Sequence, residues 1–586
     1  MIKLLKVMRP REILMAALCA LLVLAQIYFD LLLPDYMSDL TVLIETEGST
    51  VSDVWSVALE MLIVVLISAA LAVMCGWLSS QVAAGFSYAI RDRVFNKVAD
   101  FGQREMHSFS IPSLINRTTN DITQIQMITA MGLQIMIKAP VMAVWAIIKI
   151  VNKSLKLSLI TAAFVAALLL LMAILIICVV PRIRRVQKLT DNINRVAREN
   201  LTGINVVHAY NAESYQEAKF EDANDVLYRT QLGNQRAFAV LMPVVSMVMN
   251  VLALIVYWVG AGIVEAVSVT DIAGRIETFG NIVVFGTYAT YVIMAIMMLV
   301  MIIMMLPAAQ VSAGRINEVL DAQIDLVEGE RSDAPEEGTV EFKNVSFKYP
   351  SSGRNILENI SFKVNRGETI AFIGATGSGK TTLISLAARF YDATGGEVLV
   401  DGVNVKEYSF DALYDRIGYV TQKAVLFGGD IKDNVLFGES RGEETDENVK
   451  EAISIAQADE FVSKLPEGIY APINQGGSNV SGGQKQRISI ARALARKPEI
   501  LIFDDSFSAL DYKTDAKLRK ALGSSLKGTT CMIVAQRIGT IKNADKIVVL
   551  DEGKAVGIGT HEELMENCPV YREIALSQLS SAELGA

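Results

Sequence analysis

Along the first half of the chain, apolar residues run on for 20 or more positions at a time, which is the length a helix needs to cross a bilayer. Six such runs fall at about 12–34, 55–85, 122–150, 155–181, 238–263 and 281–307. A polar helical stretch separates the second run from the third (86–121), and another separates the fourth from the fifth (182–237). Past residue 338 the pattern changes. Short apolar runs alternate with amphipathic segments, as expected of an α/β domain. A charged stretch with Glu328, Glu330, Asp333, Pro335, Glu336 and Glu337 lies between the two regimes. The expected organisation is an all-α membrane domain over 1–320, a linker over 321–337 and a soluble domain over 338–586.

Charge orients the first half. The first polar connection carries Arg91, Arg93, Lys97, Arg104 and Arg117. The second carries Arg182, Arg184, Arg185, Lys188, Arg195, Arg198, Lys219, Arg229 and Arg236. The segment after the first run has Asp35, Asp39, Glu45, Glu47 and Asp53 and no cation. Positive residues favour the cytoplasmic side, so both connections and both termini are placed on the inner side of a cytoplasmic (inner) membrane. Lys153 and Lys156, in the short turn after the third run, go against this rule. Lys3, Lys6, Arg9 and Arg11 precede the first run, which is long enough to span and lacks a small-x-small cleavage pattern. It reads as a retained span behind a basic helix at the inner surface.

Composition narrows the class. Hydrophobic residues make up 52% of the 586 positions, and the formal net charge is −9. No basic stripe suits nucleic acid. Cys19, Cys75, Cys178, Cys531 and Cys568 have no paired spacing, and His107, His208 and His561 lie far apart, so neither a disulfide framework nor a local zinc motif is indicated. Asp30 and Lys138 fall inside predicted spans, where charge is expensive and marks either a functional group or an interfacial pair. The sixth span holds Met294, Met297, Met298, Met301, Met304 and Met305. Such a stripe is either a wall for hydrophobic cargo or ordinary packing.

The strongest chemical signal is Gly374-Ala375-Thr376-Gly377-Ser378-Gly379-Lys380-Thr381. It follows an expected strand (369–373) and opens an expected helix (381–389), the context in which this phosphate-binding loop works. Its glycines let backbone N–H groups wrap phosphates, and the helix N-terminus adds favourable potential. Lys380 is expected on the β- and γ-phosphates and Thr381 on Mg²⁺. Ile500-Leu501-Ile502-Phe503-Asp504 reads as a buried strand ending in a carboxylate that holds the same ion. Ser481, Gly482, Gly483 and Gln484 open a further helix with donors free for an anion.

These three motifs, in this order and behind six spans, resemble the ATP-binding cassette (ABC) exporters, in the form that joins one membrane half to one ATPase half. The resemblance implies a P-loop ABC ATPase fold with ATP and Mg²⁺ as cofactors. It implies that Tyr349 stacks on adenine and that Thr376, Ser378 and Thr382 share the phosphate cradle. It gives Gln422 a place beside the metal and Asp511 a place in the loop after the second carboxylate. It further implies that Ser481 to Gln484 face a nucleotide held by another cassette. Finally, it makes two polar segments, Ser110 to Arg117 and His208 to Glu213, contacts between the halves.

Two positions depart from the family pattern. A hydrolysing member has Glu after the motif aspartate and His in an Ala-His-Arg context, whereas this chain has Asp505 and Ala535-Gln536-Arg537. Asp is shorter by one methylene, roughly 1.5 Å, and a misplacement near 1 Å can cost on the order of 100-fold in rate. Gln can donate to a phosphate but cannot relay a proton. The departures resemble the weakly hydrolysing subunit of heterodimeric multidrug exporters. The expected partner is a second half-transporter with Glu and His, and the expected cargo is a small hydrophobic molecule. A homodimeric lipid or peptide exporter and an ATP-gated regulatory ABC protein are the alternatives.

Overall fold

The computed structural model describes residues 2–46, 49–335, 337–350, 352–438 and 444–578. Glu47 and Glu336 lie outside these, as do the side chains of Cys178 and Arg184. The chain divides into two units, one of residues 1–99 and 110–322, the other of residues 100–109 and 323–586.

In the first unit, a short helix α1 (Ile2–Leu5) precedes α2 (Pro10–Glu45) and α3 (Val51–Ala99). After α4 (Gln103–Phe109) come α5 (Ile111–Thr118), α6 (Asn120–Lys153), α7 (Leu155–Thr202), α8 (Ile204–Ala209), α9 (Glu213–Glu265) and α10 (Ile272–Leu320). Six helical segments are long and apolar enough to span a membrane. They are longer than the apolar runs because the polar connections continue the same helices. Asp35, Asp39 and Glu45 therefore sit on α2 rather than in a loop. The basic N-terminal helix is shorter than expected. It ends at Leu5, and Pro10 starts α2 afresh with its missing N–H at a position that needs none.

Polar side chains tie the spans together. Lys138 Nζ donates to Asp30 Oδ2 at 2.9 Å, and Ser68 Oγ donates to the other oxygen of the same carboxylate. Lys149 pairs with Asp35 at 2.6 Å, and the buried Tyr288 hydroxyl donates to Leu31 O at 2.7 Å. Asp30 and Lys138, two charges that the sequence places inside spans, thus neutralise one another across α2 and α6. An intramembrane charge is tolerated when it is paired in this way.

Asp100–Phe109 groups with the soluble unit, and the chain from Ser110 groups with the first unit. Within the soluble unit, Arg104 of α4 forms an ion pair with Asp325, and Phe101 stacks on Phe109. Ser110 breaks the helix with a φ of +55°, and α5 then turns to α10, where Arg117 bonds Arg315 O and the Glu318 carboxylate. His208 meets Glu213 at 2.8 Å within the first unit.

The soluble unit has strands β1 (Val340–Phe347), β2 (Leu357–Val364), β3 (Thr369–Gly374), β4 (Gly395–Val400), β5 (Val403–Asn404), β6 (Ile417–Val420), β7 (Gly429–Asp430), β8 (Pro472–Ile473), β9 (Ile500–Asp504), β10 (Thr530–Val534), β11 (Lys546–Asp551) and β12 (Lys554–Gly559). Its helices are α11 (Lys380–Ala387), α12 (Phe410–Arg416), α13 (Ile431–Val435), α14 (Asp446–Ile455), α15 (Asp459–Val462), α16 (Gly482–Ala495), α17 (Tyr512–Ser525), α18 (Ile538–Ile541), α19 (His561–Asn567) and α20 (Pro569–Gln578). The main sheet has the order β12-β11-β3-β10-β9-β6, parallel except for β12. An antiparallel sheet, β2-β1-β4-β5, packs through Phe342, Phe362 and Val400 onto one face. The other face is covered by α13, α14, α16 and α17 through Val435, Val449, Ile490 and Leu518. Strands such as Ile500–Asp504 are buried along their whole length, as parallel strands covered on both faces must be.

Candidate nucleotide site

The register of the parallel strands decides which loops meet. Val534 lies opposite Phe372 on one side and Asp504 on the other, and Val420 lies opposite Phe503. The carboxyl ends of β3, β10, β9 and β6 therefore open at one edge, where α/β sheets bind their ligands. The loops leaving that edge carry Ala375–Gly379, Gln536, Asp505 and Gln422. With Tyr349 and Ile356 from the connection between β1 and β2, residues of these loops line a cavity of about 370 Å³, completed by Lys380, Thr381, Thr382 and Val534.

The β3–α11 loop is shaped for phosphate. Gly374 has a φ of +155°, and a Cβ there would fall 2.0 Å from Leu550 O, so no other residue fits. Gly379, at φ +100°, leads directly into α11, leaving the first N–H groups of that helix without intrahelical partners. Lys380 is buried, and its ammonium donates to Gly374 O and Ala375 O, each at 2.8 Å. Burial lowers its pKa, opposed by the charges of Asp505 and Asp504. The cation thus rests on weak carbonyl partners in a concavity that calls for an anion.

Beside it, Thr381 Oγ1 donates to Asp504 Oδ1 at 2.8 Å, and Tyr419 OH reaches the second oxygen at 3.5 Å. Burial raises the pKa of Asp504, the Thr381 bond lowers it and the neighbouring Asp505 raises it. A hydroxyl and a carboxylate so placed are the oxygen donors that Mg²⁺ takes when bound with nucleotide phosphates. The fit to Mg-ATP rests on this pair, the glycine cradle and the ammonium.

Asp505 is differently placed. Its backbone lies in the left-handed region at φ +47°, which Asp tolerates better than most residues. Gln536 Nε2 donates to its Oδ2 at 2.7 Å and Gln422 Nε2 to the same oxygen at 3.3 Å. Burial raises the carboxyl pKa against these bonds. Gln536 is itself fixed from behind by Gln578 of α20, which donates to Gln536 O and accepts from Ile538 N, both at 2.9 Å.

Tyr349 borders the cavity, its hydroxyl 3.0 Å from Thr382 Oγ1 and its ring edge-on to Phe347 and Tyr391. Ser378 contributes a hydroxyl 3.4 Å from the Lys380 ammonium. The remaining expected site residues lie outside this cavity. Ser481 and Gln484 form a capping box at the exposed start of α16, with Gly482 and Gly483 in its first turn. Asp511 caps α17 by accepting from Thr514 N at 2.9 Å. Tyr419, Ile356 and Gln578 were not anticipated. Tyr419 precedes Val420-Thr421-Gln422 on a recognisable strand, but nothing local marks Gln578.

Six spanning segments joined to a cytosolic phosphate-loop ATPase define a membrane protein of the nucleotide-driven transporter class. The comparisons give the family. Residues 357–508 match the ABC transporter model, and residues 13–296 match the ABC transporter transmembrane region. An uncharacterized ABC transporter ATP-binding protein of Mycobacterium tuberculosis is 37% identical over 513 residues, 87% of this chain and 86% of that protein. A second such protein, of Bacillus subtilis, is 35% identical over 526 residues, 90% of each chain. An ATP-dependent lipid A-core flippase of Hahella chejuensis is 29% identical over 512 residues, 87% of this chain and 85% of that one. The solved structure of a bacterial Atm1-family ABC exporter with ATP bound superposes with a TM-score of 0.77 at 24% identity, covering 97% of this chain and 99% of that one, and so shares the fold. The chain belongs to the ABC transporter family. It is a multi-pass exporter half-transporter, a membrane domain fused to a cytosolic ATPase domain.

Proposed function

We propose that this chain is one subunit of a heterodimeric exporter of hydrophobic or amphipathic small molecules, and that its own cavity binds ATP but cleaves it slowly. In this reading residues 1–320 form the membrane domain, 321–337 the linker and 338–586 the ATPase. The observation that carries it is the grip of Gln536 and Gln422 on the Asp505 carboxylate. A general base must reach the attacking water and accept its proton. Asp505 is short of that position, and one of its oxygens already accepts two amide hydrogens. Gln536 holds the carboxylate but has no acid–base capacity with which to support it.

Binding is supported by different residues. Lys380 exchanges its carbonyl partners for phosphate oxygens, a charge-assisted contact roughly twice as strong as a neutral one. Thr381 and Asp504 hold Mg²⁺, which when bound neutralises charge developing on the phosphates. Tyr349 offers its ring to the base. Ser481 to Gln484, exposed at the start of α16, serve the nucleotide of a companion cassette. ATP contacts both cassettes only when they meet, so binding shifts the population toward the closed pair. Hydrolysis on the companion's side then reverses that shift.

The test is trapped-nucleotide analysis of the purified pair. Nucleotide on this chain is expected to remain ATP after several turnovers, and ADP appearing here as fast as on the companion would reject the reading. Export of a lipid by two identical copies is the second reading, favoured by the likeness to lipid A-core flippases.

A further inference from the structure

We infer that Gln578, at the end of α20, is a positioning residue for the cleavage side of the nucleotide cavity, because it holds the loop from which Gln536 reaches Asp505. This rests on the reading of Asp505 and Gln536 as that side. The loop has no lock of its own. β10 ends at Val534 and α18 begins at Ile538, so Ala535, Gln536 and Arg537 join them. Arg537 stands at the N-cap of α18, where an acceptor side chain is wanted, and its guanidinium can only donate. It lies instead over the Tyr512 ring at 4.7 Å. The N–H of Ile538, the first of a helix whose own cap offers nothing, finds its acceptor in Gln578 Oε1 at 2.9 Å. The same amide donates through Nε2 to Gln536 O at 2.9 Å. One side chain therefore grips the chain on both sides of Arg537, and the Gln536 amide is left to reach Asp505 Oδ2 at 2.7 Å.

The helix α20 is built to deliver that amide. Tyr571, Ala575 and Gln578 recur at helical spacing and so share a face. Tyr571 and Ala575 are wholly buried, and the Tyr571 hydroxyl meets His561 Nδ1 at 2.7 Å. The face is seated in the core before it ends, exposed, at Gln578. Capping α18 needs only an acceptor. The donor end of Gln578 has no part in capping, yet it is engaged with the residue that holds Asp505. A primary amide makes both bonds at once, and neither a thioether nor a carboxylate in its place can. Holding the loop matters because a displacement near 1 Å can cost on the order of 100-fold in rate. Lys380, Thr381 and Asp504 stand on other elements, so the grip on nucleotide does not depend on this amide.

The test uses the full chain with its companion in nanodiscs. Gln578→Met keeps the length of the side chain and loses both polar ends. Hydrogen exchange over 536–541 should quicken by about fivefold for each bond lost, with α11 unchanged. Exchange that stays as it was would overturn the inference. Rate is read as single-turnover cleavage at this chain's site after Asp505→Glu with Gln536→His. Adding Gln578→Met should lower that rate by about tenfold. ATP affinity should stay within about twofold, and affinity falling in step with the rate would mark a collapsed cavity and overturn the assignment. Gln578→Glu keeps an acceptor for Ile538 N and loses the donor to Gln536 O. It should preserve the slow exchange of Ile538 and still lower the rate, whereas full rate with this variant would reduce Gln578 to a helix cap. In a chain with Asp505→Glu and Gln536→Ala the loop has no side chain to place, so Gln578→Met should have no further effect on rate. The same drop there would mean general softening and reject a positioning role. A converted site no faster than the native one would reject the reading of Asp505 and Gln536, and quickened exchange over 536–541 would still show that Gln578 holds the loop.

Discussion

The nucleotide cavity has two sides built on the same sheet edge but differently equipped. On the cradle side, the Lys380 ammonium rests on two backbone carbonyls and the Thr381 hydroxyl on the Asp504 carboxylate. On the opposite side, Asp505 is already engaged by two glutamine amides. In the proposed reading, gripping a nucleotide and cleaving it are separable within one pocket. Gripping depends on backbone shape and a buried cation. Cleavage depends on one carboxylate left free at the right distance.

The sharpest way to break the comparison is on the cradle side. Lys380→Ala removes the ammonium and should weaken ATP binding by about 100-fold, the cost of one or two charge-assisted hydrogen bonds, as read by equilibrium binding of a fluorescent nucleotide. Asp505→Ala should leave that affinity within about threefold. Next comes conversion of the other side. Asp505→Glu with Gln536→His should raise hydrolysis at this site by about 10- to 100-fold in single-turnover assays of the pair. An unchanged rate would remove these two residues as the cause of the proposed slow cleavage.

Smaller effects sharpen the account. Gln578→Ala frees the loop behind Gln536 and should lower thermal stability by about 1 kcal/mol for each lost bond while leaving ATP affinity unchanged. Tyr349→Phe should cost at most about 1 kcal/mol in nucleotide affinity, because only the hydroxyl bond to Thr382 is lost. Smallest is a pH effect at Glu368, away from the site. Burial opposes its ionisation, but hydrogen bonds from Asn365 and the Lys546 ammonium hold its pKa at about 2. A depressed carboxylate stabilises the fold above its unfolded value, about 4.3, and that stability fades as pH falls toward 2. Glu368→Gln should therefore lower the Tm at pH 7, and the gap to the native chain should narrow below about pH 4.

Much of this was legible in the chain, and what was not has a common cause. The six spans, the phosphate loop and the two departures stand in local sequence, because periodicity and motif spacing are local properties. The partnership of Asp505 with Gln536 is not local. It exists because β9 and β10 are neighbours in register, a fact of sheet order. The same holds for Asp30 and Lys138, each visible as a charge in a span but paired only by the packing of α2 against α6. Gln578 lay beyond reach because α20 returns from the far end of the chain. Residues 100–109 and 110–117 are both short, polar and helical, and only the turn at Ser110 sends them to different units.

The central claim is best tested by ATP turnover of the purified chain, alone and with its companion half-transporter, each reconstituted in lipid. The account predicts tight ATP binding with near-background turnover for the chain alone and robust turnover for the pair. Rapid hydrolysis by two identical copies of this chain would contradict it.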